Sequence, residues 1–318
     1  MPELPEVQTT VNGINMVAKG LIIKEIWTDL AKKTVSRPDY KESIKYLPFF
    51  DAMQKAVCGK KIISAERRAK NILINLSDNH TILIHMKMTG HVMFGTYMKI
   101  KSKNEKGKEM ECWEPSPKEK NEALRDPYNR FLHFVISFTN GKQLVLSDVR
   151  KFAKVTLLST KDAHQTKHLD TLGPEPLEKS FSYKEFAERI NKKKSGKIKS
   201  VLMDQSVISG VGNIYSDEAL WLAGIHPNSI VSKIPEKNMR ELFPAVQAVL
   251  NKGIDFGGDS TSDYRQIDGT RGKFSHQHNA YRLTGGACKK RGCNGSIKRI
   301  IVGGRSAHFC EIHQKLYS

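Results

Sequence analysis

The sequence predicts an α+β, multidomain chain: a strand-rich amino-terminal part forming an antiparallel sandwich or barrel, a helical middle part and a carboxy-terminal zinc ribbon. Three observations predict it. Apolar residues cluster in short β-type runs up to residue 158 and then switch to helical spacing. The segment Leu172-Gly173-Pro174-Glu175-Pro176 places turn chemistry at the switch. Three of the five cysteines fall after residue 280, at Cys288-x4-Cys293-x16-Cys310-x2-His313. With 318 residues the chain can bury a real core and divide into two or three domains.

Residues 4–19 read as a helix, because Val7, Val11, Ile14 and Val17 recur at helical spacing. Short β-type runs follow at 22–26, 71–76, 81–86, 131–136, 143–146 and 155–158. Turns such as Ser77-Asp78-Asn79 separate them as in an antiparallel sandwich or barrel. Residues 99–129 interrupt the pattern; their Lys, Glu, Pro and Asn predict a long exposed excursion. Beyond the linker, helices are expected over 181–191, 198–204, 213–223 and 235–253. The polar, glycine-bearing stretch 257–280 is expected to be a mobile loop. No internal repeat is present.

Lys and Arg number 52 against 33 Asp and Glu, a formal net charge of +19. An excess of this size points to a polyanionic partner, nucleic acid first. There is no apolar run of about 18 residues to span a membrane, and no basic segment followed by an apolar core to act as a signal peptide. The odd cysteine count, crowded into the tail, suits metal better than disulfides. An intracellular, reducing location in the cytoplasm or nucleoid is expected.

Zinc takes four tetrahedral thiolate or imidazole ligands, supplied as two close pairs from two turns. Cys288, Cys293, Cys310 and His313 have that arrangement, and the gap between the pairs reads as a β-hairpin turning at Gly303-Gly304. So short a tail has too little apolar residue to fold without such a staple. Four protein ligands close the site, so one structural zinc ion is expected.

The chain opens Met1-Pro2-Glu3-Leu4-Pro5-Glu6-Val7. Removal of Met1 is expected and would leave Pro2 with a free secondary amine. Free α-amino groups have a reference pKa near ~8, so much of the amine is neutral and nucleophilic at cellular pH. Attack of a secondary amine on a sugar C1′ yields an iminium ion that has no nitrogen proton to lose and so remains an electron sink. Glu3 and Glu6 stand close enough in sequence to move protons. Alone, the same pattern describes a helix start stiffened by two prolines and favoured by acidic residues.

The motifs Arg67-Arg68-Ala69-Lys70, His85-Met86-Lys87-Met88-Thr89-Gly90, Leu172-Gly173-Pro174-Glu175-Pro176-Leu177, Gly210-Val211-Gly212-Asn213-Ile214-Tyr215 and Gly303-Gly304-Arg305-Ser306 follow that opening in order. Together with the terminal zinc ribbon, they make the chain resemble the formamidopyrimidine-DNA glycosylase family over nearly its whole length, excepting 99–129. Leu4 fits the oxidised-purine branch, because the related endonuclease VIII branch usually has glycine there. The resemblance implies an antiparallel β-sandwich flanked by helices over 1–172 as the catalytic domain, a helix–two-turn–helix DNA-binding domain over 173–280 and a zinc finger over 281–318.

The same resemblance implies the residue roles. Pro2 is the nucleophile, Glu3 the general acid/base on the opening deoxyribose, and Glu6 orients that machinery. Lys70 contacts phosphate and the damaged nucleotide. Asn213 and Arg305 meet phosphate, with Lys199 a further candidate among several lysines. Met88, Arg150 and Phe152 fill the void left by a flipped base, which must leave the stack before its sugar can be attacked. On periodicity alone, Met88 and Phe152 read as core residues. Lys87 stands where the family commonly has glycine. The loop from Gly257 to Tyr281, with Ser262-Asp263-Tyr264, corresponds to the segment that closes over the flipped base. The implied activity is excision of 8-oxoguanine or formamidopyrimidine from double-stranded DNA and cleavage at abasic sites by β,δ-elimination, performed by a monomer. Two other readings stand beside it: an endonuclease VIII-like preference for oxidised pyrimidines, and a non-catalytic zinc-ribbon DNA-binding protein.

Overall fold

The computed structural model describes residues 1–103, 107, 109–163, 166 and 169–318. The chain forms two compact units: Met1–Pro2, Glu6–Thr166 and Gly257–Gly272 make the first, and Glu3–Pro5, Lys167–Phe256 and Lys273–Ser318 the second. The ribbon is part of the second unit and does not stand apart. Residues 257–272, expected with the helical part, belong to the first unit.

In the first unit, two four-stranded antiparallel sheets face each other. One runs β1 (Ile23–Thr28), β8 (Leu132–Phe138), β9 (Gln143–Ser147), β5 (His91–Gly95); the other runs β10 (Lys154–Ser159), β4 (His80–His85), β3 (Asn71–Leu76), β2 (Ile62–Arg68). Ile26, Phe134, Ile136, Leu144 and Val92 of the first sheet share one core with Ile72, Ile74, Ile82, Ile84 and Val155 of the second. The architecture is therefore a sandwich. Helix α1 (Leu4–Val17) adds Val7, Val11 and Ile14 to this core, and α2 (Leu47–Val57) adds Phe50, Met53 and Val57. Each such side chain stabilises the fold by about 1.5–3 kcal/mol on full burial.

The sequence reading passed over four elements. Helix α2 begins beside Pro48, which suits a first helical turn but resembles a breaker. Strand β2 is polar along much of its length, and β5 is five residues between glycines. The fourth is the excursion itself, which is largely exposed, as expected, but has regular structure. It forms a hairpin, β6 (Tyr97–Lys103) and β7 (Glu109–Pro115), with Lys99 opposite Trp113 and Lys101 opposite Glu111. Its charges mask a buried set: Tyr97, Trp113 and Leu124 pack with Met93, Leu132, Val135 and Val145, and Trp27 meets Trp113 edge-on at 6.3 Å.

The second unit holds α3 (Tyr183–Asn191), α4 (Ile198–Leu202), α5 (Asn213–Ala223) and α6 (Glu236–Asp255), close to the expected spans. Phe186, Ile190, Leu202, Tyr215, Leu220, Leu242 and Leu250 form its core. The ribbon is a hairpin of β11 (Ile297–Val302) and β12 (Arg305–Cys310). Gly303 (φ 55°) and Gly304 (φ 73°) form its two-residue turn, both in the left-handed region that a type I′ hairpin needs. Among the described residues no helix is long and apolar enough to cross a membrane.

Candidate active site and metal centre

Pro2 and Glu3 are buried at the very start of the chain. Leu4 N–H donates to the Gly210 carbonyl at 3.0 Å. Glu3 Oε1 then accepts from Ile214 N–H at 3.0 Å and Oε2 from Tyr215 N–H at 3.4 Å. These are among the first amides of α5, which no intrahelical carbonyl can satisfy. Gly212, the residue before α5, has no side chain to cap them, so the Glu3 carboxylate does so from elsewhere in the chain. A Cβ on Gly212 would lie 2.4 Å from Glu3 Cδ, which is why glycine stands there. The helix dipole further favours an anion at this end.

Glu6, also buried, accepts from Asp259 N–H at 2.7 Å through Oε1. Its carbonyl takes the Tyr264 hydroxyl at 3.1 Å and the Thr10 hydroxyl at 2.9 Å. The carboxylate is thus held by the 257–272 segment.

Lys70 occupies the tight β2–β3 turn, next to Ala69 at φ 52°, and is only 6% exposed. Arg67 secures this left-handed residue by donating to the Ala69 carbonyl at 3.1 Å. His85, opposite Asn71 in the neighbouring strand, joins the same basic corner. Burial, then Lys87 and Lys70, depress its pKa to about 3, so the ring is neutral. Its Nδ1 accepts from Lys87 N–H at 3.0 Å, so Nε2 carries the proton. Sequence reasoning assigned His85 no role, although it begins one of the diagnostic motifs.

Met88 is 42% exposed and Phe152 47%, so neither belongs to the core that periodicity suggested. Lys87 has φ 56°, the conformation in which the family's glycine would be unstrained. The exposed Arg150 guanidinium lies over the Phe152 ring at 4.5 Å. One buried carboxylate joins the two turns: Asp148 Oδ1 accepts the Thr89 hydroxyl and Arg150 N–H (3.2 Å), and Oδ2 accepts Ala153 N–H at 2.7 Å. Lys45 braces the far side, donating to the Lys151 carbonyl at 2.7 Å, where Lys151 has φ 57°. The available signal for Asp148 was an aspartate heading a turn, where it bonds backbone amides a few residues on.

Asn213 begins α5, and its side-chain Oδ1 has no hydrogen-bond partner among the described residues. Arg305 stands exposed at the tip of the ribbon hairpin. The assignment of Lys199 to phosphate needs correction. It is wholly buried, ion-paired with Asp217, and its Nζ lies 3.4 Å from the Asn213 carbonyl. Asp217 also accepts from His308 N–H and Nδ1, both at 3.0 Å. Lys199 therefore braces the start of α5 and its junction with β12, and its amine is not available to a phosphate.

The ligating atoms of Cys288, Cys293, Cys310 and His313 all lie within 4.8 Å of one another. Cys293 and Cys310 sulfurs are 3.6 Å apart, too far for a disulfide and close to the ~3.8 Å edge of a tetrahedron with ~2.3 Å metal–sulfur bonds. His313 Nε2 bonds the Trp221 carbonyl at 2.9 Å, which leaves Nδ1, 3.2 Å from Cys288 Sγ, facing the cluster with its lone pair. Gly295 must be small, since a Cβ there would be 2.5 Å from Cys310 Sγ. The four residues fit a metal ion.

A β-sandwich, a helical domain and a ribbon whose Cys288, Cys293, Cys310 and His313 could hold a metal define a helix–two-turn–helix protein. The family profile described as formamidopyrimidine-DNA glycosylase N-terminal domain matches residues 1–155, and that described as formamidopyrimidine-DNA glycosylase H2TH domain matches 172–265. Formamidopyrimidine-DNA glycosylase of Roseobacter denitrificans is 35% identical over 310 residues, covering 98% of both chains. The protein of that name from Herpetosiphon aurantiacus is 32% identical over 99% of this chain and 100% of its own. The Lactococcus lactis Fpg structure with abasic-site DNA superposes with a TM-score of 0.78 at 29% identity, covering 98% of this chain and 99% of that one. Another of its structures, with N7-benzyl-Fapy-dG DNA, gives the same score and identity over 99% and 100%. The chain belongs to the formamidopyrimidine-DNA glycosylase family.

Proposed function

We propose that this chain is a base-excision repair enzyme that removes oxidised purines, formamidopyrimidine and 8-oxoguanine, from double-stranded DNA and cleaves the strand at the abasic site. The observation that carries the reading is the seating of the amino terminus: Glu3, next in sequence to the buried Pro2, is itself buried and fixed on the first amides of α5. The abasic-site and Fapy-dG DNAs bound by the Lactococcus relative support the substrate class.

With Met1 removed, the Pro2 amine attacks C1′ as the C1′–N bond to the base breaks, and the base leaves with a proton. Ring opening gives an iminium ion between Pro2 and C1′. Loss of a C2′ proton expels the 3′ phosphate, a second elimination expels the 5′ phosphate, and water hydrolyses the remaining iminium, which releases the unsaturated sugar remnant as an aldehyde, frees Pro2 and leaves a gap flanked by phosphates. Glu3 moves the protons at the sugar, and Glu6 holds the first turn of α1. Lys70 and the neutral His85 supply donors for phosphate and the damaged nucleotide. Asn213 and Arg305 bind the backbone, while Met88, Arg150 and Phe152 occupy the vacated stack. Cys288, Cys293, Cys310 and His313 hold one zinc ion, which supplies folding energy to the ribbon and no chemistry. Such a substrate places the protein with the DNA inside the cell, and it acts there as a monomer.

Borohydride reduction during reaction with an abasic duplex tests the reading. Wild-type protein should yield a covalent adduct that maps to Pro2, and Pro2→Gly should lose most of the adduct and the excision rate while keeping DNA affinity. Full excision and incision by Pro2→Gly would show the nucleophile to be elsewhere.

A further inference from the structure

The excursion that departs from the family pattern is tied to the loop that holds Glu6. Asn121 Nδ2 donates to the Asp268 carbonyl at 2.7 Å, and Asn129 Nδ2 to the Gly269 carbonyl at 3.3 Å. Asp126 faces two arginines of the loop, Arg265 at 3.5 Å and Arg271 at 3.7 Å. Gly269 (φ 82°) lies against the excursion so closely that a Cβ would be 2.9 Å from the Ala123 carbonyl oxygen.

From Asp126 a continuous set of contacts leads to α1. Arg265 is buried and lies under Tyr128, 4.8 Å from the ring centre. Its Nη1 donates to the carbonyls of Tyr264 (2.9 Å) and Ser262 (3.0 Å). The Tyr264 hydroxyl donates to the Glu6 carbonyl, and Asp259 N–H binds the Glu6 carboxylate. A polar loop of this length loses much conformational entropy on ordering, and these bonds offset that loss. These bonds hold the 257–272 part of the stretch that its polar, glycine-bearing sequence marked as a mobile loop.

We propose that Asn121, Asp126 and Asn129 are positioning residues for catalysis: the excursion clamps the 257–272 loop, and the loop sets Glu6 and the first turn of α1. This rests on the reading that the amino-terminal turn carries the chemistry. The other role for the excursion is as a cover for the β1–β8–β9–β5 sheet through Trp113, and Asn121 and Asp126 lie outside that apolar cluster.

The test is Asn121→Ala with Asp126→Asn in the full-length, metal-loaded protein. Three quantities are read: single-turnover excision at saturating enzyme, affinity for a duplex carrying an uncleavable abasic analogue, and amide exchange. Excision should slow about tenfold, as displaced catalytic groups do. Affinity should hold, and exchange should rise in 257–272 but not in β8 or β9. Asp126→Glu, which keeps the charge, should recover most of the rate lost in Asp126→Asn. Wild-type excision and exchange in the double variant would overturn the proposal, as would loosening that extends through β8 and β9. Pro2→Gly run in parallel separates the two readings. If Pro2→Gly is inactive while the double variant is normal, only the clamp fails; if Pro2→Gly is fully active, the amino-terminal chemistry itself is wrong.

Discussion

At the scale of single residues, exposure decides between two fates that sequence leaves open. Met88 has an apolar side chain at the end of a strand-like run, yet 42% of its surface is exposed, on a turn whose strained member is Lys87. Met88→Ala should therefore change stability by no more than about 0.5 kcal/mol, where a buried methionine would cost roughly 2–5. It should nonetheless slow excision from duplex DNA, because extrusion of a base costs a few kcal/mol of unstacking that the wedge offsets. Arg150→Ala should flatten the dependence of the rate on the opposite base. Thermal unfolding and excision opposite each of the four bases measure both. A destabilised Met88→Ala with undiminished excision would return the residue to a packing role. Glu3 shows the converse case: an acidic residue that would be solvated in an isolated helix is enclosed because α5 offers it free amides.

At the scale of elements, the ribbon depends on two tethers of different kinds. Its hairpin is joined to α5 through the buried Lys199–Asp217–His308 set, and its base carries the four-residue cluster that could hold a metal. Only the second tether is removable without mutation. Chelation, or Cys310→Ser, should release about one zinc per chain, disorder the turns at Cys288–Cys293 and weaken duplex binding about tenfold as Arg305 loses its fixed place. Metal analysis with binding titration checks this. Active protein lacking zinc would sink the assignment. The excursion illustrates how element and composition can disagree: Lys99, Lys101 and Glu111 share a face of the β6–β7 hairpin with Tyr97 and Trp113, and these two aromatics pack with Val135 and Val145.

At the scale of the whole molecule, acid should unfold the protein through His91. Burial is the main cause that lowers its pKa to about 4, and nearby Arg265 adds to it, against the favourable Asn129 bond. Its Nε2 pairs with Asn129 Oδ1 at 2.9 Å, and burial outweighs both this bond and the Thr89 backbone, which favour the charged ring. The unfolded ring titrates near 6.5, so the folded state binds fewer protons between 6.5 and about 4. This stabilisation is complete above 6.5 and is lost as pH falls, by up to about 1.4 kcal/mol per pH unit. Denaturant unfolding at several pH values should show a shallower acid loss for His91→Gln than for wild type. Equal slopes would mean that His91 titrates normally in the fold.

Local chemistry accounts for what the sequence determined by itself. The periodicity of α1, strands such as β3, the four main helices of the second unit, the metal quartet and the family motifs were all legible, because each depends on residues a few positions apart. The Cys288, Cys293, Cys310 and His313 set could be read from spacing, since two close pairs across a hairpin leave few other geometries. Tertiary structure alone decided that Lys199 is an internal brace, because Asp217 becomes its partner only when α4 and α5 pack. It likewise decided the capping of α5 by Glu3 and the clamp of Asp126 on Arg265. A charged side chain carries no mark of its fate in the sequence: it is solvated or buried according to whether folding brings a counter-charge or unsatisfied amides to it, and those come from distant parts of the chain.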